Sequence, residues 1–260
     1  MKFVLVTQNA PIYLPIFLDR FFTLMRETDH RCLGIVVLSA SPHGFFREVT
    51  YRWSLYGPVD FLRMSLKITG EMIRSHFFAL GKGACHSTAN VIRKHDLTVI
   101  QIASINKDDF IDRITKSEAN LLISIASPQV FRSRLLKAPP RGCINYHSAL
   151  LPRYRGIQPL FWALLNEENE VGVTVHEMDR ELDNGPILVQ RRISVDPGDS
   201  LDALYNKTFS VGPEAMIEAL DILERDNPAR IENPESEATY FGFPQPKDLR
   251  LFRKRGKKLF

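Results

Sequence analysis

Long uncharged apolar runs are missing from this chain, and so are paired cysteines, metal-ligand spacings and a strong excess of either charge. The most apolar extended stretch, 57–80, is interrupted by Asp60, Arg63, Lys67, Glu71 and Arg74. That excludes a transmembrane helix, which needs about 20 mainly apolar residues in a row. The amino-terminal run Met1-Lys2-Phe3-Val4-Leu5-Val6-Thr7 has no small-residue cleavage site after it, so it reads as a first strand rather than a signal peptide. The 3 cysteines, Cys32, Cys85 and Cys143, form no CxxC or Cys/His ligand spacing, and they read as reduced, mostly buried thiols of a cytoplasmic protein. With no second histidine near His176 at ligand spacing, a zinc site has no support, and no metal is expected. Lysine and arginine total 34 against 30 acidic residues, a net charge of +4. This balance favours an anionic partner but does not call for nucleic acid. Finally, Gly81-Lys82-Gly83 lacks the Gly-x-x-x-x-Gly-Lys-Ser/Thr spacing of a phosphate loop, so it reads as a plain loop.

What the chain has is 260 residues, 44% of them hydrophobic and 25% charged, enough for a full core in one or two domains. Short apolar runs alternate with longer amphipathic ones. Strands are expected at 2–7, 33–39, 97–102, 121–126, 142–147 and 171–178. Helices are expected at 15–27, 87–95, 108–116, 128–137 and 200–224, the last capped by Ser200. The alternation predicts an α/β chain with a mostly parallel twisted sheet and helices on both faces, and such sheets bind ligands beyond the carboxyl ends of their strands.

The segment that organises the rest is 143–156, read with Leu182-Asp183-Asn184-Gly185-Pro186-Ile187. On a strand ending at His147, Asn145 and His147 face the same way. One is an amide that can donate, the other a base near neutral pH. Asp183, on a turn closed by Gly185 and Pro186, can fold back and orient the imidazole. An amide donor, a base and an orienting carboxylate make up an acyl-transfer site. Singly, Asn145 reads as a strand-end turn former, His147 as a satisfied histidine and Asp183 as a cap; their joint spacing favours catalysis.

Asn-x-His-x-x-Leu-Leu-Pro-x-x-Arg-Gly from Asn145 to Gly156, then Gly172-Val173-Thr174-Val175-His176, then Asp-x-Gly-x-Ile from Asp183, resembles the folate-dependent formyltransferase family. The resemblance is dense between about residues 121 and 219. It implies a Rossmann-like formyltransferase fold, 10-formyltetrahydrofolate as co-substrate, and Asn145, His147 and Asp183 as the catalytic residues. By the same resemblance the folate would be held by Ala126, Ser127, Gln129, Val130, Asp179 and Leu182, and the acceptor by Asn9, Arg153, Arg155 and Gly156. The chain departs from the family at three places. Gln8-Asn9-Ala10-Pro11 replaces a Gly-Ser-rich phosphate turn, Ser127-Pro128 replaces Tyr-Gly, and Ala149 stands where a serine is common. His176 is expected to be structural.

Residues 1–225 are expected to form the catalytic domain, with a helical insertion at 43–85. In the insertion, Asp60, Arg63, Lys67, Glu71 and Arg74 share one helix face. Its simplest reading is a helix or helix pair packed on the core by its apolar face with the charged stripe wet, although that apolar face also suits a homodimer or a membrane surface. Residues 226–260 are Pro-rich and then basic. This extension is too short for the C-terminal β-barrel that the resembled tRNA formyltransferases carry, so methionyl-tRNA is not the expected acceptor. The expected reaction is formyl transfer to a primary amine of a small acceptor, an amino-sugar nucleotide being the class in view. A methionyl-tRNA formyltransferase, a formyltetrahydrofolate hydrolase and a non-catalytic folate-binding protein are the alternatives.

Overall fold

Residues 3–6, Phe-Val-Leu-Val, are an unbroken apolar run, which suits a strand buried on both faces of a sheet. In the computed structural model, which describes residues 1–39, 45–77 and 85–260, they lie in β1 (Lys2–Gln8), second from one edge of the main sheet. It is flanked by β2 (Arg31–Leu38) on one side and β3 (Leu121–Ile125) on the other, both parallel to it. β4 (Cys143–His147) extends the parallel set, β6 (Glu170–Glu177) runs against it, and β7 (Ile187–Ser194) closes the sheet in the order β2-β1-β3-β4-β6-β7. The sheet is thus mostly parallel, as expected. A separate two-residue pairing joins β5 (Arg155–Gly156) to β8 (Tyr240–Phe241).

Alternate side chains of the strands supply two cores. Phe3, Leu5, Ile123, Ile144 and Tyr146 pack under α1 (Tyr13–Met25) and α7 (Leu201–Glu224). Val4, Val6, Leu122 and Cys143 pack with Phe110, Ile111 and Ile114 of α4 (Asp108–Lys116) and Leu135 of the short α5 (Ser133–Leu136). Ser200 caps α7 by accepting from the Ala203 amide. A third cluster joins α6 (Pro159–Leu165) to Leu249 and Phe252 of α8 (Pro246–Lys254), with the Phe161 and Phe252 rings stacked at 4.8 Å.

Several sequence expectations need correction. The strand expected at 97–102 is a single bridge, Val99 to Ile35, with two backbone hydrogen bonds around Ile35. The chain then turns away, with Ser104 Oγ and the Ile105 amide both donating to Gln129 Oε1. The helix expected at 128–137 shrinks to α5. Its first half is held open by the Ser127 hydroxyl, which binds the Gln129 backbone, and by Asn106, which binds the Val130 carbonyl and the Arg132 amide. Such side-chain bonds compete with helix. β7 and α6 were not anticipated.

The largest reversal is in α2 (Phe45–Phe77), which is broken at Gly57 (φ 69°) before Pro58. α3 (Thr88–Lys94) follows it, capped by Ser87. Three of the five residues of the charged stripe of α2 face inward, Asp60 pairing with Arg253, Lys67 with Asp202 and Glu71 with His86, while Ser75 bonds Ser87 and Asn90 and Arg63 and Arg74 stay exposed. The apolar side chains Val59, Leu62, Leu66, Met72 and Ile73 are 51% to 65% exposed. The physical reason is the surface beneath the helix, which is itself polar. The phosphate-loop segment 81–83 lies outside the described residues.

Candidate active site

β4 ends the parallel set, so its carboxyl end opens onto the crevice where such sheets place ligands. Ile144 and Tyr146 point to the α7 side, and the Tyr146 hydroxyl donates to the Thr208 carbonyl at 2.9 Å. Asn145 and His147 therefore point to the other side. In the antiparallel ladder Asn145 stands opposite His176, and directly opposed residues share a face. The register alone thus adds His176 to the site.

Asp183 reaches the same point from the loop between β6 and β7. Its backbone is left-handed (φ 52°), a conformation that aspartate tolerates. Gly185 follows because a Cβ there would lie 1.9 Å from the Glu177 carbonyl oxygen, which explains the Asp-x-Gly pattern as a close backbone approach. The Asp183 carboxylate accepts the Gly156 N–H at 2.8 Å and the Asn145 amide at 3.4 Å. It lies 3.6 Å from His176 Nε2 and 3.7 Å from His147 Nδ1. Burial opposes its charge, but His147, His176 and the Gly156 N–H outweigh burial and hold the carboxyl well below the usual carboxylate range.

The imidazoles have defined jobs. His176 Nδ1 is 2.7 Å from the Glu177 carbonyl, which can only accept, so Nδ1 carries the proton. Nε2 is then free to accept from Asn145 Nδ2 at 3.3 Å. This fixes the amide orientation of Asn145, whose second N–H points to Asp183 Oδ1 at 3.4 Å. The expectation of a purely structural His176 is corrected accordingly. His147 Nε2 donates to the Tyr154 carbonyl at 2.8 Å, which leaves Nδ1 toward Asp183.

The loop after β4 contains a cis Leu151-Pro152 bond and is held by a hydroxyl the sequence reading missed. Thr174 Oγ1 donates to the Ala149 carbonyl and accepts from the Leu151 amide, and Gln190 bonds both Thr174 and the Leu151 carbonyl. Thr174 thus supplies a hydroxyl to the loop in which Ala149 has none. Its signal was the register, which sets it opposite His147.

Other anticipated residues stand as follows. Arg155 is 0% exposed, and its guanidinium is used by Glu235, Tyr240 and Asn233. It braces the loop and presents no fork to an acceptor. Arg153 pairs with Glu168. Asn9 is exposed at the end of β1, its amide bonded to the Leu38 carbonyl. Ala126 is left-handed (φ 54°). Ser127 binds the Gln129 backbone, the Gln129 side chain holds 103–105, and Asp179 ties its own turn by accepting from Glu181 and Asn184. Val130 and Leu182 are exposed apolar side chains on two loops joined by Arg180 Nε to Ser133 Oγ at 3.1 Å. A cleft of about 450 Å³ is lined by Ser104, Asn106, Lys107, Gln129, Val130 and Arg132. Among the described residues no three His, Cys, Asp or Glu side chains are arranged to hold a metal, and no helix is long and apolar enough to cross a membrane.

The extension after 225 completes the site. β8 pairs with β5, Phe241 stacks on Tyr154 at 5.3 Å, and Asn233 Nδ2 donates to the carbonyls of Asp183 and Gly185. Gly156 (φ 98°) permits this approach, since a Cβ there would lie 2.2 Å from the Phe241 carbonyl oxygen.

Comparison with known proteins agrees with the geometry. The methionyl-tRNA formyltransferase of Desulforamulus reducens is 35% identical over 147 residues, 56% of this chain and 46% of that protein. That of Thermotoga maritima is 36% identical over 159 residues, 61% of this chain and 51% of that protein. The chain spans about half the length of the curated relatives it matches. Among solved structures, glycinamide ribonucleotide transformylase 1 from Symbiobacterium toebii aligns with a TM-score of 0.60 at 16% identity, covering 90% of this chain and 94% of that one. The N-formyltransferase from Helicobacter canadensis, solved with folinic acid and dTDP-3-aminofucose, aligns at 0.58 and 15% identity over 93% of this chain and 71% of that one. At such identities the solved structures show a shared fold. Residues 79–220, more than half of the sequence, match the family described as formyl transferase, and the chain belongs to that family.

Proposed function

We propose that this chain transfers the formyl group of 10-formyltetrahydrofolate to the primary amine of a small acceptor, with an amino-sugar nucleotide as the favoured class. The observation that carries the reading is the convergence of Asn145, His147, His176 and Asp183 at the end of β4. The amine attacks the formyl carbon while the Asn145 N–H that reaches Asp183 across 3.4 Å turns to the oxygen on which charge develops. Donors preset in this way are each worth about 10²-fold or more. The Nε2–H of His147 exchanges the Tyr154 carbonyl for the same oxygen. Asp183 keeps its negative charge beside the reacting amine, and water carries the amine's proton to the folate nitrogen as the bond from that nitrogen to the formyl carbon breaks.

The loops around the site fit the co-substrate. Val130 and Leu182 offer apolar walls to a flat ring, and Lys107 and Arg132 in the adjoining cleft suit the carboxylates at its other end. The fold-level likeness to a protein solved with dTDP-3-aminofucose supports the acceptor class. In the basic extension Arg253, Arg255 and Lys257 are turned back onto Asp60, the Leu165 carbonyl and Glu167, whereas Arg250, Lys254 and Lys258 stay exposed. The curated relatives' own name favours methionyl-tRNA as the second reading.

The deciding experiment supplies 10-formyltetrahydrofolate with dTDP-linked and UDP-linked amino sugars, simple amines or methionyl-tRNA, and follows tetrahydrofolate release by absorbance. Turnover dependent on an amino sugar is the expected result. Equal or faster formylation of methionyl-tRNA replaces the small-acceptor reading, and release without any acceptor replaces transfer with hydrolysis.

A further inference from the structure

α2 is inside out. An ordinary surface helix buries its apolar stripe and wets its charged one, whereas here Asp60, Lys67 and Glu71 face the protein body and Val59, Leu62, Leu66, Met72 and Ile73 face away. The exposed positions are ordered. Val59, Leu66 and Ile73 recur every seven residues and Leu62 falls between the first two, with Thr69 in the equivalent place between the last two. This is the a and d pattern of a helix seam that packs against another helix. The uncovered side chains amount to roughly 500 Å² of apolar surface, at the size of patch that marks interaction sites and more than half of the ~800 Å² that one partner gives to a standard interface.

Gly70 points to what covers this surface. A glycine weakens a helix interior relative to alanine, yet a Cβ built on Gly70 meets nothing within 4 Å. Inside one protomer the glycine serves no packing. We infer that two copies of this chain associate through α2, crossing antiparallel on a two-fold axis at Leu66. That axis sets Val59 against the partner's Ile73 and Leu62 against the partner's Gly70, so the large side chain meets the position with none. An isologous contact must be complementary to itself in this manner. The chemistry disfavours an anionic lipid surface as the occupant: the basic residues beside the stripe, Arg63 and Arg74, are paired within the helix to Asp60 and Glu71.

The test is the mass of the full chain in solution across an about hundredfold range of concentration, where a dimer shows mass action. The wild type is expected to reach dimer mass. Leu66→Glu, which places two carboxylates at the axis, is expected to be monomeric with an unchanged circular-dichroism melt. Leu66→Cys is expected to form an intermolecular disulfide under mild oxidation, above the background of the wild type, whose Cys32, Cys85 and Cys143 are free and wholly or partly buried. Leu66→Cys reads the contact even if Leu66→Glu does not fold. A wild type that stays monomeric throughout overturns the inference, as does a dimer that survives Leu66→Glu or leaves Leu66→Cys uncrosslinked. Sedimentation of wild-type monomer with phosphatidylserine vesicles, lost in Leu66→Glu, overturns it in favour of a lipid surface.

Discussion

Replacing Asp183 by asparagine keeps the shape of the side chain and removes its charge. In the native site one carboxylate oxygen receives the Gly156 N–H at 2.8 Å and the other the Asn145 amide at 3.4 Å, with His176 and His147 3.6 and 3.7 Å away. An asparagine amide must turn its NH₂ toward one of those two donors, leaving a buried donor facing a donor. The unmet group costs roughly 1 to 3 kcal/mol, and the hydrogen bond to an ionised acceptor was worth about 1.5 to 3 kcal/mol. The two overlap, so a loss of about 3 kcal/mol in stability is expected at pH 7, read as a lower urea midpoint at unchanged slope. The pH dependence has a definite sign. A carboxyl whose folded pKa lies below its unfolded value contributes stability above the unfolded value, near 3.8, and loses it as the pH falls through the folded one. The gap between wild type and Asp183→Asn is therefore constant near neutrality and narrows below about pH 4. Turnover is expected to fall by two or more orders of magnitude, since each 1.36 kcal/mol is about tenfold. Equal urea midpoints at pH 7, or a gap that does not narrow in acid, would refute the electrostatic account of this loop.

Other substitutions separate chemistry from support. Asn145→Ala and His147→Ala are expected to lower turnover about 100-fold or more while the circular-dichroism melt is kept. His176→Ala is expected to lower turnover, and His176→Gln, whose carbonyl can still accept the Asn145 N–H, to restore part of it. That rescue, measured in kcat, would not follow if the imidazole merely filled space. Gly185→Ala is expected to cost about 3 kcal/mol, because its Cβ would sit on the Glu177 carbonyl oxygen, and thermal unfolding reads the loss. Asn233→Ala removes the donor to the Asp183 and Gly185 carbonyls and is expected to cost about 1 to 3 kcal/mol in urea unfolding, with turnover reduced alongside.

Periodicity made β1, β2, β3, β4 and β6 readable, because a buried strand in a parallel sheet announces itself as a short apolar run. The ends of α4 and the Ser200 cap of α7 were equally legible, since each is decided by residues within one turn. The motif residues Asn145, His147 and Asp183 could be paired from spacing and resemblance. His176 and Thr174 could not, because their place depends on an antiparallel register that no local signal carries. Arg155 reads as a substrate ligand in sequence, yet its partners Asn233, Glu235 and Tyr240 lie far along the chain. α2 was misjudged for a related reason: amphipathicity reports two faces but not which one meets the body, and here the body offers Asp202, His86 and Arg253.

The pairing of β5 with β8 has a bearing on when the site becomes usable. A growing chain has made its sheet, Asn145, His147 and Asp183 well before residues 233–241 emerge. Until then the carbonyls of Asp183 and Gly185 lack the Asn233 amide, the Arg155 guanidinium has none of its acceptors, and the strand that sets the Gly156 N–H under the carboxylate has no neighbour. Domains fold as their segments become available during synthesis. In this chain the scaffold therefore precedes the completed site, and the loops that carry Asp183 and Gly156 gain their last supports only when the late segment docks.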